Sequence, residues 1–298
     1  MRILMSGASG FIGSALRRAL QQKGNEVSAL TRSASADSRA VRWDPAAGEL
    51  DPDSVEGFDA VVHLAGEGIG DRRWNEVHKR RVRDSRIQGT SLLSRTLSEL
   101  DRPPQVLLSA SAMGYYGDRG DEPLSESAPA GDGFLAGVVQ AWEEATGPAS
   151  DAGIRVVTTR SSLVLDPNGG VLKRQLIPFR LGVGGRLGAG RQWWSWITLE
   201  DEVRAMQHLL EADVSGAVNL SSPSPITNAE FTDILGRVLS RPTFCSVPRV
   251  ALEVVLGKDM ATEMLFFSQR LVPSKLEGSG FVFRQPELEP ALMTVLGK

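Results

Sequence analysis

The chain opens with a short apolar run that changes abruptly into an amphipathic pattern. Residues 3–5 are Ile-Leu-Met, glycines occupy positions 7, 10 and 13, and apolar residues then recur every three or four positions as far as Leu20. A continuous apolar run is typical of a buried parallel strand, and the later period is that of a helix with one buried face. The pattern predicts a strand that ends at Ser6, a glycine turn, and a helix that stops near Gly24.

Similar apolar runs return along the chain and predict further strands with helices between them. A long basic helix is predicted over Arg72–Leu100, whereas residues 34–58 are polar and rich in turn residues, which predicts loops. Thr227 and Glu230 have the spacing of a helix capping box. The predicted strands lie at Glu26–Thr31, Ala60–Leu64, Gln105–Ser109, Ile154–Ser162 and Gly216–Leu220.

Composition and charge limit the class of protein. The chain has 298 residues, of which 41% are hydrophobic and 23% charged, as in ordinary globular proteins. A net charge of −3 gives no electrostatic support for nucleic acid or acidic membrane as a partner. The single cysteine, Cys245, suits a reducing compartment, and histidine and cysteine spacing suggests no metal site. We expect a cytoplasmic monomer or homodimer with a small-molecule substrate.

The glycine turn predicts a dinucleotide site. Gly7 permits the tight turn, Gly10 lets the backbone approach a pyrophosphate, and Gly13 lets the helix pack close to the strand. The phosphate charge is then favoured by the free N–H groups and positive dipole of the helix N-terminus. The predicted cofactor contacts in this turn are Gly7, Ser9, Gly10, Phe11, Ile12 and Gly13.

The end of the second predicted strand favours NADP(H) over NAD. An acid near this position binds the ribose hydroxyls in NAD sites, whereas arginine suits a 2′-phosphate. The chain has Thr31-Arg32-Ser33 here and no acid before Asp37. We expect Thr31 and Arg32 to contact the cofactor, and the alternative is that Arg32 is an ordinary solvated arginine.

Several short motifs occur together along the rest of the chain. Together with the three glycines they resemble the extended short-chain dehydrogenase/reductases, the NAD(P)-dependent epimerase/dehydratase group, and more closely an atypical branch described as epimerase family proteins. The motifs are Leu64-Ala65-Gly66, the serine-rich strand end 109–111 that runs into Tyr116-Gly117, Arg72-Arg73-Trp74-Asn75, Asp84-Ser85-Arg86, Phe134-Leu135-Ala136, Trp142-Glu143, Gln192–Trp196 and Pro286–Pro290.

The resemblance implies an α/β fold with a Rossmann-type doubly wound parallel sheet and a smaller C-terminal substrate lobe. The dinucleotide-binding domain is predicted over 1–165 and 197–222, and the substrate lobe over 166–196 and 223–298. The two are predicted to interleave as one folding unit. Further cofactor contacts implied by the resemblance are Leu64, Ala65, Gly66, Glu67, Arg81, Arg86, Ser109 and Leu163, with Arg86 preferred over Arg81.

The usual catalytic pair of this superfamily is missing. Its Tyr-x-x-x-Lys motif lies on the helix after the fourth strand, where this chain has Phe134 and Val138. Phenylalanine has no proton to donate, and valine neither binds ribose nor lowers a tyrosine pKa. We expect Ser111 and Tyr115 to act in catalysis, with Glu67 as a third candidate. The alternative is a structural role for each of them.

The expected substrate residues follow a glycine-rich segment, 181–191, that predicts a mobile loop. Trp193, Trp194 and Trp196 come directly after it. Trp194 and Trp196 either stack a substrate ring or pack as structural residues, and Arg191 or Arg186 is a candidate contact for an anionic group.

Two functions from different classes remain at this point. The first is an NADP(H)-dependent oxidoreductase or epimerase that acts on a small polar substrate. The second is a catalytically weak NADP(H)-binding sensor or regulatory protein, which the missing Tyr-Lys pair suggests. A nucleic-acid binder using the basic residues 79–86 is poorly supported because no aromatic platform accompanies the charge.

Overall fold

The structure is a computed structural model that describes residues 1–32 and 38–298. Ser33 and Asp37, which enter the cofactor prediction, lie outside the described residues. The strands are β1 (Arg2–Ser6), β2 (Glu26–Thr31), β3 (Val41–Asp44), β4 (Glu49–Leu50), β5 (Ala60–His63), β6 (Val106–Ala112), β7 (Pro123–Leu124), β8 (Arg155–Ser161), β9 (Leu163–Asp166), β10 (Gly185–Leu187), β11 (Trp193–Trp194), β12 (Trp196–Thr198), β13 (Gly216–Leu220), β14 (Ile226–Thr227), β15 (Cys245–Val247) and β16 (Arg270–Leu271). The helices are α1 (Phe11–Gln22), α2 (Glu76–Ser98), α3 (Phe134–Glu144), α4 (Gly147–Asp151), α5 (Gly170–Arg180), α6 (Leu199–Glu211), α7 (Asn228–Leu239), α8 (Arg249–Leu256), α9 (Lys258–Ala261), α10 (Ser274–Gly278) and α11 (Leu288–Leu296).

One large sheet organises the N-terminal part of the chain. Its strand order is β13-β8-β6-β5-β1-β2-β3-β4. Strands β6, β5, β1, β2 and β3 pair in parallel, and β4 turns back antiparallel on β3. The chain moves outward from β1 through β2 and β3, and then returns to the other side of β1 with β5 and β6. This reversal is the topological switch point of a Rossmann-type sheet, so the predicted α/β fold class is confirmed.

Contacts divide the chain into two compact units, and each has its own core. The first unit comprises Met1–Ser111, Val138–Thr159 and Val203–Val218. Its core joins side chains of three neighbouring strands, Leu4, Val61 and Leu107, to Leu93 and Leu97 of α2. Apolar strands buried on both sides read as continuous hydrophobic runs, which is why these strands were visible in the sequence.

The second unit comprises Ala112–Gly137, Arg160–Glu202 and Asn219–Lys298. Its core packs α5, α7 and α11 around the short strands β9 and β12, with Phe179, Trp196 and Phe231 among its buried side chains. The predicted domain limits differ from these contact boundaries, chiefly because 112–137 group with the second unit. The predicted domain limits therefore stay a prediction about which segments fold together.

Several local predictions are met and several need correction. The capping box at the start of α7 is confirmed, since Glu230 N donates to Thr227 Oγ1 (3.3 Å) and Thr227 N donates to Glu230 Oε2 (2.8 Å). Residues 34–58, expected to be loops, contain β3 and β4, because Trp43 of β3 is buried in the core and the half-buried Val41 packs against that core. The basic helix begins at Glu76 instead of Arg72, where Asn75 accepts a capping hydrogen bond from His78 N.

The second unit also departs from the sequence-based expectation in the glycine-rich segment 181–191, which contains β10 paired in parallel with β15. Residues Thr262–Phe266 form a half-buried π-helical turn. Among the described residues, the helices are too short or too polar to cross a bilayer.

Candidate functional site

The turn between β1 and α1 is built for close backbone contacts. Gly7 has a φ of +67°, and a Cβ on it would lie 2.7 Å from the carbonyl carbon of Leu64. A Cβ on Gly13 would lie 2.1 Å from the carbonyl oxygen of Gly7. Gly10 is exposed and is the N-cap residue of α1, and no side chain of the described residues caps the helix there. The first N–H groups of α1 are therefore available to an anion, and the cradle fits a diphosphate.

A buried hydrogen bond supports the backbone opposite this turn. Ser6 Oγ accepts hydrogen bonds from Leu64 N (3.1 Å) and Ala65 N (3.2 Å) and lies 2.7 Å from His63 Nδ1. Because the oxygen already accepts twice, its own proton is directed to Nδ1. His63 is fully buried, and burial lowers its pKa to about 4, so the ring is neutral. His63 is therefore a structural support for the Leu64–Ala65 backbone.

Strand register brings most of the predicted cofactor residues to one edge of the first unit. Ser6 pairs with Leu30 on one side and His63 on the other, and His63 pairs with Ser109. The residues that follow these positions therefore lie together at the carboxyl ends of the strands. They are Gly7 after β1, Thr31 and Arg32 at the end of β2, Leu64–Glu67 after β5, and Ala110–Ser111 in β6. Ser9 and Arg32 are exposed, whereas Phe11 and Ile12 are half-buried in the first turn of α1.

Arg86 and Arg81, both on α2, have different surroundings. Arg81 is exposed. The Arg86 side chain is 8% exposed, donates from Nη1 to the carbonyl oxygens of Glu67 (2.9 Å) and Val82 (3.0 Å), and lies 5.0 Å from the ring centre of Trp142. Burial lowers its pKa to about 10, so it keeps its charge. Arg86 thus holds the loop after β5, a role that the sequence did not indicate.

Ser111, a predicted catalytic residue, is paired with a carboxylate. Its Oγ donates a hydrogen bond of 2.5 Å to Glu143 Oε1, from β6 to the last turn of α3. Ser111 is buried and Glu143 is half-buried. In the sequence, Glu143 is recognisable only as part of the Trp142-Glu143 motif, because a contact between residues 32 positions apart leaves no local pattern.

Tyr115, the other predicted catalytic residue, lies in the second unit against a buried arginine. The Arg160 guanidinium carbon is 3.4 Å from the centre of the Tyr115 ring, and its Nη1 donates to Tyr116 Oη (2.9 Å). Tyr116 Oη in turn donates to Asn219 Oδ1 (2.7 Å), and burial raises the pKa of Tyr116. An arginine near the end of the predicted strand Ile154–Ser162, Arg160, was the available signal for this cluster, and it was missed.

The start of α3 has no catalytic tyrosine and is capped from a distant part of the second unit. Glu263 accepts hydrogen bonds from the backbone N–H groups of Phe134 (2.9 Å) and Leu135 (2.8 Å). Val138 is buried and Phe134 half-buried. The two positions of the usual Tyr-x-x-x-Lys motif are therefore apolar and packed.

The predicted substrate residues lie in the second unit and do not form one group. Trp194 and Trp196 are 4% and 0% exposed, and both belong to its hydrophobic core. No exposed indole face is left for a substrate ring, so packing is the alternative that the structure supports. Arg191 is exposed, and the half-buried Leu163 begins β9, where its N–H donates to the Ser195 carbonyl oxygen (3.1 Å).

A buried glutamate in the second unit was not anticipated. Glu202 is 0% exposed, and its Oε1 accepts a 2.5 Å hydrogen bond from Ser161 Oγ at the end of β8. Its Oε2 has no hydrogen-bond partner within the described part of the chain. Burial raises its pKa to about 8. In the sequence Glu202 is one of three successive acids at the N-terminus of α6, where acids are common. The sequence alone therefore does not show that this one is buried.

Comparison with known proteins decides the family. The model of the NAD dependent epimerase/dehydratase family matches residues 3–221, and a model described as a domain of unknown function, DUF1731, matches residues 247–295. An epimerase family protein of Mycobacterium bovis is 45% identical over 97% of this chain and 96% of its own length. The chain belongs to the NAD dependent epimerase/dehydratase family.

Two solved structures extend this result to the fold of the family. The crystal structure of the human epimerase family protein SDR39U1 with NADPH is similar over 100% of both chains, with 34% identity and a TM-score of 0.91. That of the nucleoside-diphosphate sugar epimerase from Corynebacterium glutamicum covers 100% of this chain and 58% of its own, with 34% identity and a TM-score of 0.81. The predicted resemblance to the epimerase/dehydratase group is confirmed, and the Rossmann-type sheet is the fold of this family.

Proposed function

We propose that the chain is an NADP(H)-dependent oxidoreductase or epimerase of the extended short-chain dehydrogenase/reductase type, acting on a small polar substrate. The observation that carries the binding part is the cradle formed by Gly7, Gly10 and Gly13 against the Leu64 backbone. The similar human protein was crystallised with NADPH, which supports the same cofactor for this chain.

The cofactor would be held at the carboxyl edge of the first unit. The first N–H groups of α1 would face its diphosphate, and Arg32 would contact the 2′-phosphate by a charge-assisted hydrogen bond. The Leu64–Glu67 backbone, fixed by Ser6 and Arg86, would line the path towards the reacting ring.

Gly10→Ala tests the cradle with little effect on the fold. Gly10 has ordinary dihedral angles, φ −71° and ψ 176°, and a Cβ would meet only the Gly7 carbonyl oxygen at 3.2 Å. The added methyl group would stand where a diphosphate must approach, so we expect NADPH affinity to fall at least about tenfold, or 1.4 kcal/mol. Gly147→Ala in α4, with open space around its Cβ, is the matched control. Equal NADPH dissociation constants for both variants and the wild type, by calorimetry, would contradict the proposed site.

Arg32→Ala tests the choice between NADPH and NADH. Loss of a charge-assisted hydrogen bond of about 1.5–3 kcal/mol should weaken NADPH binding by about 10- to 100-fold and leave NADH binding unchanged. Arg95→Ala is the control, because Arg95 is an exposed arginine whose Nε bonds the Ser91 carbonyl oxygen. A similar loss for both nucleotides would show that Arg32 does not read the phosphate.

The bound nicotinamide would supply hydride exchange with a substrate carbon. Ser111 would hold the reacting oxygen by a hydrogen bond. Tyr115, in the second unit, stays the other catalytic candidate. NADP⁺ reduction should be measured with xylitol, sorbitol and UDP-glucose, and NADPH oxidation with glyceraldehyde. Tight NADPH binding without turnover of any of these compounds would contradict the oxidoreductase part of the proposal.

The second candidate is a catalytically weak NADP(H)-binding sensor or regulatory protein. The observation in its favour is that Phe134 and Val138 are packed where the superfamily has tyrosine and lysine. Such a protein should bind NADPH normally and show a change in protease sensitivity on binding. The cytoplasmic location and the monomer-or-homodimer state stay predictions.

A further inference from the structure

The Ser111–Glu143 pair offers a route for a proton at the carboxyl edge of the first unit. The hydrogen bond between Ser111 Oγ and Glu143 Oε1 is 2.5 Å, within the range of a hydroxyl that donates to a carboxylate. Its direction matters, because a hydroxyl that donates to a carboxylate leaves its oxygen lone pairs free to accept another proton. Ser111 lies in β6, two residues beyond Ser109, which pairs with His63 at the end of β5. It is therefore on the same edge of the sheet as the Leu64–Glu67 loop.

We propose that Glu143 accepts a proton through Ser111 and so replaces the missing Tyr-Lys pair in acid–base catalysis. The inference rests on the proposed oxidoreductase function and names a residue that sequence reasoning did not assign. Ser111 is the group that touches the substrate oxygen, and Glu143 acts behind it.

The step balances for oxidation of a substrate alcohol by NADP⁺. The substrate hydroxyl proton passes to Ser111 Oγ while the Ser111 proton passes to Glu143 Oε1. The electrons of the substrate O–H bond form the carbonyl π bond, and the C–H hydrogen leaves with its bonding pair to the nicotinamide. Glu143 is half-buried, so its new proton can be lost to water. Carbonyl reduction follows the same path in reverse.

The neighbours of Glu143 fix the last turn of α3. On its own helix the next residue is the exposed Glu144. On α2, the charged Arg86 lies over the ring of Trp142, the residue before Glu143. Trp142 is itself fixed, because its Nε1 donates to Thr90 Oγ1 (2.9 Å). This packing holds the last turn of α3, and with it Glu143, at a constant distance from β6.

Glu143→Gln and Ser111→Ala test the relay, and Glu144→Gln is the matched control. Glutamine keeps an oxygen that accepts the Ser111 hydrogen bond but does not take its proton. We expect each of the two variants to reduce NADP⁺ with xylitol, sorbitol or UDP-glucose about 100-fold more slowly or worse. NADP⁺ affinity and thermal unfolding should stay unchanged, and the acid limb of the pH–rate profile should disappear in Glu143→Gln.

A measurement without turnover provides an independent check. The protein is labelled with ¹³C at the glutamate carboxyl groups, loaded with NADP⁺ and studied by NMR. The signal of Glu143 is identified as the one that is missing in Glu143→Gln. Ser111→Ala removes the hydrogen bond to Oε1 and should therefore shift this signal, whereas Glu144→Gln should leave it in place. An unchanged signal in Ser111→Ala would overturn the pairing.

The outcomes for the relay and for the proposed function are distinguishable. Wild-type protein that binds NADP⁺ but turns over none of the probes contradicts the proposed function and the relay with it. Wild-type turnover that Glu143→Gln leaves unchanged, in rate and in pH profile, overturns the relay alone. A rate loss in Glu143→Gln that comes with weaker NADP⁺ binding or a lower unfolding temperature also overturns it, because a structural contact explains that result.

Discussion

The hydroxyl of Ser6 donates to His63 Nδ1 across 2.7 Å and joins the carboxyl ends of β1 and β5. The same oxygen accepts from two backbone N–H groups of the loop that follows β5. Protonation of His63 would place a second hydrogen in this bond and break it. The charge state of one buried ring is thus coupled to the backbone of the cofactor edge.

Acid should destabilise the protein through His63. Its pKa is 6.5 in the unfolded chain and about 4 in the folded one, so between these values the unfolded state binds more protons. The free energy of unfolding should keep its full value above pH 6.5. It should fall by up to about 3 kcal/mol as the pH drops towards 4. His63→Gln should flatten this part of the profile in urea titrations. An equally steep fall in the variant would assign the acid sensitivity to other groups.

Base should destabilise the protein through Glu202, with the opposite sign. Its pKa rises from 4.5 to about 8 on folding, so the folded state binds more protons in this range. The contribution of Glu202 to the free energy of unfolding should be largest below pH 4.5. It should decline by a few kcal/mol as the pH rises through 8. Glu202→Gln should remove the decline, whereas Glu211→Gln, at the exposed end of α6, should keep it. If the free energy of unfolding depended on pH in the same way in both variants, the buried carboxyl of Glu202 would not be the cause of the decline.

Arg86→Lys should weaken the loop after β5. Lysine keeps the charge, but it has no planar guanidinium to lie on the Trp142 ring while bonding the carbonyl oxygens of Glu67 and Val82. We expect a loss of about 1–3 kcal/mol in the free energy of unfolding, together with weaker NADPH binding. Arg83→Lys, an exposed change on the same helix, should have no effect in denaturant titration. An equally stable Arg86→Lys protein would show that the two carbonyl contacts contribute little.

Thr227→Ala should destabilise the start of α7. The threonine hydroxyl accepts the Glu230 N–H, and Ala offers no such acceptor. The expected loss is about 1 kcal/mol in the free energy of unfolding, with cofactor affinity unchanged. Thr227→Ser keeps the hydroxyl and serves as the control. A loss of the same size in the serine variant would place the effect in packing of the methyl group.

The features that were predictable from the sequence are those that local physics determines. Gly7 and Gly13 stand where a Cβ would collide with the backbone, so their spacing indicated the turn. The interval between Thr227 and Glu230 indicated a cap for the same local reason. The buried strands of the parallel sheet were recognisable in the sequence as uninterrupted apolar runs.

The features that escaped prediction depend on contacts between distant residues. Trp43 lies in a strand of four residues within a polar stretch, where too few positions alternate to show a period. Trp194 and Trp196 look alike in the sequence whether they stack a ligand or fill a core, and only their burial distinguishes the two. The partner of Ser111 lies on the helix that the family resemblance implied, but the resemblance did not show which of its side chains face β6.

The hydrogen bonds from Phe134 N and Leu135 N to Glu263 have a consequence for biosynthesis. A ribosome makes α3 more than a hundred residues before it makes the carboxylate that caps it. Until then the nascent helix has a frayed beginning, and truncation of the chain before Glu263 would leave it permanently so. The first turn of α3 is therefore completed only after residue 263 has been synthesised.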